Sequence, residues 1–249
     1  MVVQAQEGRL TTSRHRVLVA TAVPAERDAV ARGLPGPGRE VRLPGVTLHR
    51  TDGPYDLLAA GVGPALAAAS VSAALTAAAL SGAPYGLVVS TGIAGGFAPA
   101  APVGSLVLAD EITAADLGAE TADGFLPVTE LGFGAVTHRP PESLVREAAA
   151  ATGALTGVVL TVSTVTGSAA RAAVLRERHP RAVAEAMEGF GVAEAAAAHG
   201  VPVLEIRAVS NPVGPRDRDA WRIGAALAAL TTAFGKLTPV LESWNPHDR

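Results

Sequence analysis

Glu188 sits behind a methionine in Ala184-Glu185-Ala186-Met187-Glu188-Gly189-Phe190, where an apolar run turns into an alanine-rich helix. A carboxylate at such a junction is costly unless it is hydrogen-bonded or solvated. Sugar hydroxyls supply such bonds, and Met187 offers a soft apolar surface to a ribose ring. On its own the acid reads better as an exposed residue in a first helical turn, favoured by the helix dipole. Two more polar groups change that weighting. Val203-Leu-Glu-Ile-Arg207-Ala-Val-Ser210-Asn211 reads as a buried strand ending in polar side chains, and Val17-Leu-Val-Ala-Thr-Ala-Val23 as another, with Glu26 just past its end. Ligands of open α/β sheets bind outside the carboxyl ends of strands. Glu26, Glu188 and Asn211 are therefore expected at one site.

The elements that must position them follow from apolar runs and their breaks. Strands are expected at 16–23, 55–60, 86–91, 104–110, 157–163 and 203–210, with 43–50 as a further candidate. Helices are expected at 25–32, 63–80, 141–152, 168–179, 189–199 and 218–241. Strands alternating with helical patterns imply a sheet covered on both faces. No linker or repeat divides the chain, so one domain is expected over 16–242, with tails at 1–15 and 243–249. The first residues are polar and contain no apolar signal core. The least regular stretch, 112–140, has the length of a functional or interface loop.

Two glycine clusters follow strands. Gly61-Val62-Gly63-Pro64 opens a helix, and Gly92-Ile93-Ala94-Gly95-Gly96 follows the most hydrophobic strand. Neither is GxGxxG or a Walker loop. The second is too long for a simple turn, and is read as backbone lining a ligand.

Composition bounds the chemistry. Of 249 residues, 49% are hydrophobic and 17% charged, enough apolar material for a sizeable core. A net charge of −3 and 4% aromatic residues argue against a nucleic-acid partner. The absence of cysteine excludes disulfides, thiolate metal sites and a cysteine nucleophile, and Lys236 is the only lysine. His15, His49, His138, His179, His199 and His247 lack ligand spacing, so no metal and no cofactor is expected. The alanine-rich runs stop short of a bilayer span, and a cytoplasmic protein without membrane association is expected.

Together Gly92-x-Ala94-Gly95-Gly96, Met187-Glu188, Arg207-x-x-Ser210-Asn211 and Glu26 resemble the nucleoside phosphorylase/nucleosidase superfamily. The closer likeness is to 5′-methylthioadenosine/S-adenosylhomocysteine nucleosidases and, in that branch, to futalosine hydrolases of menaquinone biosynthesis. It runs from about Val17 to Leu241. The resemblance implies a single-domain, three-layer α/β/α sandwich around a mixed, partly barrel-like sheet, a nucleoside substrate and a homo-oligomer, dimer or higher. It also implies roles: Glu26 activates water, Glu188 accepts hydrogen bonds from the ribose 2′- and 3′-hydroxyls, and Met187 packs on the sugar. Ala94 and Gly95 line the site, Val165-Thr166 meets the base through its backbone, and Arg207 and Ser210 hold the loop that brings residue 211 to purine N7.

The chain departs from that pattern at residue 211, where adenine-specific nucleosidases carry an aspartate acid. An amide offers one donor face and one acceptor. With its NH₂ toward a 6-oxo group and its oxygen toward a protonated N7, Asn211 suits hypoxanthine or guanine over adenine. An Asx turn before Pro212 is the structural alternative. The phosphorylases' phosphate-binding arginines are missing after Val88-Val89-Ser90-Thr91, while the first loop carries Glu26. A carboxylate there repels phosphate and suits hydrolysis; Arg27 is the remaining candidate for an anion. The loop Asn211–Trp221 resembles that of futalosine hydrolases. In it Asp217 caps a helix, forms a salt bridge or supplies an acid, capping being favoured by residue type. Arg139, Arg171, Arg216 and Arg218 are candidates for a substrate carboxylate.

These readings lead to hydrolysis of the N-glycosidic bond of futalosine, releasing hypoxanthine and dehypoxanthine futalosine. The alternatives are a methylthioadenosine/S-adenosylhomocysteine nucleosidase, a purine nucleoside phosphorylase or a catalytically silent nucleoside-binding protein.

Overall fold

The computed structural model describes residues 15–245. The expected N-terminal tail, apart from His15, and residues 246–249 of the expected C-terminal tail lie outside them. The chain runs β1 (Arg16–Thr21), α1 (Pro24–Ala31), β2 (Gly38–Leu43), β3 (Val46–Thr51), β4 (Tyr55–Ala59), α2 (Pro64–Leu80), β5 (Tyr85–Gly96) and β6 (Leu106–Ala114). It continues with β7 (Gly118–Thr121), β8 (Gly124–Pro127), β9 (Thr137–His138), α3 (Glu142–Thr152), β10 (Leu155–Thr161), α4 (Ala169–Arg178), β11 (Ala182–Ala186), α5 (Gly189–Ala198), β12 (Val203–Pro212) and α6 (Ile223–Ser243).

The main sheet is mixed, in the order β11-β10-β6-β12-β5-β1-β4-β3-β2. Parallel pairs join β1 to β4 and β5, β12 to β5, and β10 to β6 and β11. The far end of β5 also pairs antiparallel with β11, Gly95 opposite Glu185 and Gly96 opposite Ala184. That contact closes β5, β12, β6, β10 and β11 into a ring, giving the partly barrel-like sheet. Strands buried on both faces read as continuous apolar runs, and β1, β4, β5 and β12 are such runs. One core lies under α2 and α5 and contains Leu18, Val71, Val88 and Val192. The other lies under α1, α3 and α6 and contains Val19, Val89, Leu144 and Phe234. By length and composition the Arg218–Ser243 segment passes for a membrane span. Its buried face, including Leu230, Phe234, Leu237 and Leu241, packs into the molecule.

Five expectations change. The strand expected to end at Thr91 runs on through the glycine cluster to Gly96, because pairing with β12 and β11 continues there. The stretch 112–140 is not one irregular loop: it contains the end of β6, the hairpin β7–β8 and β9. β11 was not expected as a strand, since its five residues read as the approach to a helix. The candidate strand 43–50 is a hairpin, β2 and β3 joined at Pro44-Gly45, whose first strand is too polar and exposed to announce itself. Finally, the last helix starts at Ile223 rather than Arg218, behind a 3₁₀ turn over Arg218–Ala220, and runs to Ser243.

Candidate active site

The carboxyl ends of β1, β5 and β12 meet the β11–α5 junction around a cavity of about 260 Å³. Its walls include Glu26, Ala94, Gly95, Val165, Thr166, Met187, Glu188, Ser210 and Asn211. The structure thus brings nine of the eleven residues singled out in the sequence to one cavity. Arg207 lies behind it and Asp217 outside it.

Each acid is held by its own backbone environment. Glu26, in the first turn of α1, reaches back so that Oε2 accepts from Ala22 N–H (3.0 Å) and Val23 N–H (3.3 Å). Its Oε1 accepts from Ile93 N–H at 2.9 Å. That approach requires glycine at 92, where φ is +157° and a Cβ would stand 2.6 Å from Glu26 Oε1 and 2.9 Å from Arg207 Nη1. Burial pushes the Glu26 carboxyl up, against the pull of the Ile93 N–H and Arg207, and Glu188 adds to the rise. Such a carboxyl is tuned toward the range of a general base. Glu188 is the N-cap residue of α5 but makes no cap bond. Its Oε1 accepts from Gly63 N–H at 3.2 Å and its Oε2 from Arg207 Nη1 at 3.4 Å. At 6% exposure it is no surface acid of a first helical turn.

Arg207 corrects an expectation. Instead of holding the loop before residue 211, it lies fully buried between carboxylates. Its Nε donates to Glu205 Oε1 at 2.8 Å and its Nη2 to Ser90 Oγ at 3.2 Å. The physical reason is its place within β12, where its side chain turns under the cavity floor. Burial opposes its charge, but Glu205, Glu188 and Glu26 outweigh burial and hold the guanidinium firmly protonated. Glu205 is wholly buried, its Oε2 has no partner, and burial raises its pKa. One cation therefore serves three acids.

Ser210 does the orienting. Its hydroxyl donates to Asn211 Oδ1 at 2.8 Å, while Asn211 Nδ2 donates to Pro212 O at 3.0 Å. This fixes which way the amide faces and leaves one N–H and one oxygen lone pair for a ligand. Asp217 stands at the N-cap of the 3₁₀ turn, exposed and without a side-chain cap bond, so residue type alone misjudged it. Arg27 is paired with Asp28 and Arg139 with Glu111. The guanidiniums of Arg216 and Arg218 lie 5.3 and 5.8 Å from the ring of Trp221, which lines the cavity. His138 bonds Glu194 at 2.8 Å and does not line the cavity.

Sequence reasoning missed Glu185, Glu205, Val62, Ile93 and Trp221. Glu205 was legible as an acid inside an apolar strand, two residues before an arginine. Glu185 was hidden because β11 was not recognised. The cavity wall carries Glu26, Glu185 and Glu188 but, among the described residues, no arginine, lysine or histidine.

Residues 17–240 match the family model described as the phosphorylase superfamily. A futalosine hydrolase of Streptomyces coelicolor is 79% identical over 94% of this chain and 99% of its own. A futalosine hydrolase of Acidothermus cellulolyticus is 47% identical over 88% and 89%. Among solved structures, a 5′-methylthioadenosine/S-adenosylhomocysteine nucleosidase from Neisseria meningitidis, in complex with methylthio-immucillin-A, superposes with a TM-score of 0.77. The two are 19% identical, and 92% of this chain and 100% of that one are covered.

Proposed function

The chain belongs to the phosphorylase superfamily and, within it, to the futalosine hydrolases, and from that premise we propose how its cavity cleaves the N-glycosidic bond. The reaction is hydrolysis of futalosine to hypoxanthine and dehypoxanthine futalosine, a step toward menaquinone. The observation that carries the hydrolytic reading is the cavity wall, which among the described residues has three carboxylates and no cation. Such a wall repels phosphate and leaves water as the nucleophile.

Glu26 orients water and takes its proton as the oxygen attacks the anomeric carbon on the face opposite the base. As the glycosidic bond breaks, its electron pair leaves with the purine, which takes up a proton from solvent at N7, and positive charge builds on the ribose. Glu188, anchored by Gly63 and Arg207, draws charge through the ribose 2′- and 3′-hydroxyls and so stabilises the oxocarbenium-like sugar. Met187 packs against the ring. Asn211, set by Ser210, receives the departing base at N7 and O6, while Ala94, Gly95, Val165 and Thr166 enclose it. Arg207 is a positioning residue for Glu188, and Arg216 and Arg218 beside Trp221 are positioned to attract the substrate's carboxylate. No metal or cofactor enters any of these steps. A homo-oligomer fits the exposed apolar side chains of Leu66, Leu117 and Val62, the last of which lines the cavity.

The test is release of free base from futalosine, inosine and methylthioadenosine, with and without phosphate. Phosphate-independent release of hypoxanthine from futalosine is expected. Adenine release from methylthioadenosine at a comparable rate, or a requirement for phosphate, overturns the reading.

A further inference from the structure

The mechanism above leaves one carboxylate of the cavity wall without a role. Glu185 is 4% exposed and lines the cavity. Both its oxygens already accept from one residue: Oε1 from Thr166 N–H at 2.8 Å, and Oε2 from the Thr166 hydroxyl. These two donors meet the acid as an acceptor on both oxygens. A carboxylate has about four acceptor positions, so lone pairs remain for a third donor. They also consume the Thr166 N–H, which cannot then donate freely to a base. This edge of the cavity consequently presents an acceptor where a free backbone amide would present a donor.

Register places Glu185 relative to Asn211. Gly95 pairs with Glu185 on one side and with Asn211 on the other. All three line the same cavity. At about 4.8 Å per strand step, the Cα atoms of Glu185 and Asn211 lie about 10 Å apart, with Gly95 between them. A Cβ at Gly95 would stand 2.9 Å from Val213 Cγ2 and 3.4 Å from Asn211 Nδ2, so the floor between the two polar side chains stays flat only with glycine. A planar purine fits such a floor with its two polar edges turned to opposite sides.

We propose that Glu185 is a specificity-determining residue for the base, accepting the N1–H of a 6-oxopurine across Gly95 from Asn211. The inference rests on the reading that the released base is hypoxanthine. Hypoxanthine carries a donor at N1 and an acceptor at O6, whereas adenine carries an acceptor at N1 and a donor at N6. A carboxylate at the N1 edge completes the first pattern and sets lone pair against lone pair in the second. Asn211 reads N7 and O6, and Glu185 reads N1, so two elements check one feature of the base.

The experiment measures equilibrium binding of hypoxanthine, 1-methylhypoxanthine and adenine to the wild-type protein and to Glu185→Ala and Glu185→Gln, alongside futalosine hydrolysis by the wild type. Wild type is expected to prefer hypoxanthine over both analogues by about 100-fold, since a site built around a hydrogen bond rejects ligands that leave it unmade. In Glu185→Ala both ratios are expected to fall to within about threefold, and in Glu185→Gln the preference over adenine to fall at least tenfold. An acid that merely pins Thr166 would weaken all three ligands by a common factor with the ratios unchanged, and that result overturns the proposal. So does wild-type protein that hydrolyses futalosine yet binds 1-methylhypoxanthine as tightly as hypoxanthine, a measurement independent of any variant's folding. Wild-type protein that fails to hydrolyse futalosine, or that prefers adenine, instead overturns the functional reading, and the proposal falls with it.

Discussion

Asp56 and Glu188 are both buried carboxylates associated with arginine, at opposite ends of the same set of strands. At the amino ends of β1, β4 and β5, Asp56 accepts from Arg16, from Arg50 Nε at 2.9 Å and Nη2 at 3.0 Å, and from the Tyr85 hydroxyl. Two cations and a phenol surround one acid. Burial works to raise the Asp56 pKa, but these partners outweigh it and hold the carboxyl below its ordinary value. At the carboxyl ends the ratio is reversed, with Glu26, Glu188 and Glu205 around Arg207. There burial prevails over the single cation, Glu26 and Glu205 are both pushed up, and Glu205 Oε2 is left without a partner. Equal burial thus serves two ends. Full compensation fixes an acid as a structural ion, whereas deficient compensation leaves acids able to take up a proton or a ligand's hydroxyls.

Substitutions at the two poles test that contrast. The largest effect is expected from Glu26→Gln or Glu188→Gln, either of which should lower the rate of futalosine hydrolysis by about 10³-fold or more. Thermal melts should show folding retained, because the amides keep the shape of the acids they replace. Near-wild-type turnover in either variant breaks the comparison at its functional pole.

Asp56→Asn should do the opposite. Loss of a buried acid facing two arginines is expected to cost about 2–3 kcal/mol of stability, with kcat/KM within twofold of wild type. The pH dependence has a definite sign. The folded pKa of Asp56 is lowered, so its stabilisation is present above the unfolded value of about 3.9 and is lost as pH falls through the folded one. Denaturation midpoints of variant and wild type should therefore converge below about pH 4. A gap that widens there contradicts the assignment.

The smallest effects belong to Glu205→Gln. Removing an acid that has an unpartnered oxygen should leave the melting temperature unchanged or raise it by about 2 °C. In the wild type the acid limb of kcat/KM should lie above the ordinary glutamate value, because the raised Glu26 must be ionised to take a proton from water. In Glu205→Gln, Arg207 answers to two acids rather than three, and the limb should move to lower pH by up to about one unit. A destabilisation as large as that of Asp56→Asn, with the limb unmoved, would make the two clusters equivalent.

Much of this was legible in the chain because strands and their exits leave local signatures. Apolar runs marked β1, β4, β5 and β12, and the polar residues just beyond them, Glu26 and Asn211, marked the site. Met187-Glu188 was readable as a pair. What failed depended on partners distant in sequence. β11 is five residues long and is defined by pairing with β10 and β5. The strand character of Gly92–Gly96 depends on the same neighbours. Asp217 looked like a cap by residue type, but its side chain caps nothing in the turn that follows.

The sequence by itself determined the α/β alternation, the candidate acids and the amide at residue 211, since hydrophobic period and residue type are properties of short windows. Only the tertiary structure decided that Arg207 faces three carboxylates rather than a loop, that Glu185 belongs to the cavity, and that Asp56 and Glu26 have opposite electrostatic fates. Those outcomes depend on how many charges and donors the closed sheet brings within a few ångströms of each acid, a sum over residues as far apart as Glu26 and Arg207, 181 positions in the sequence.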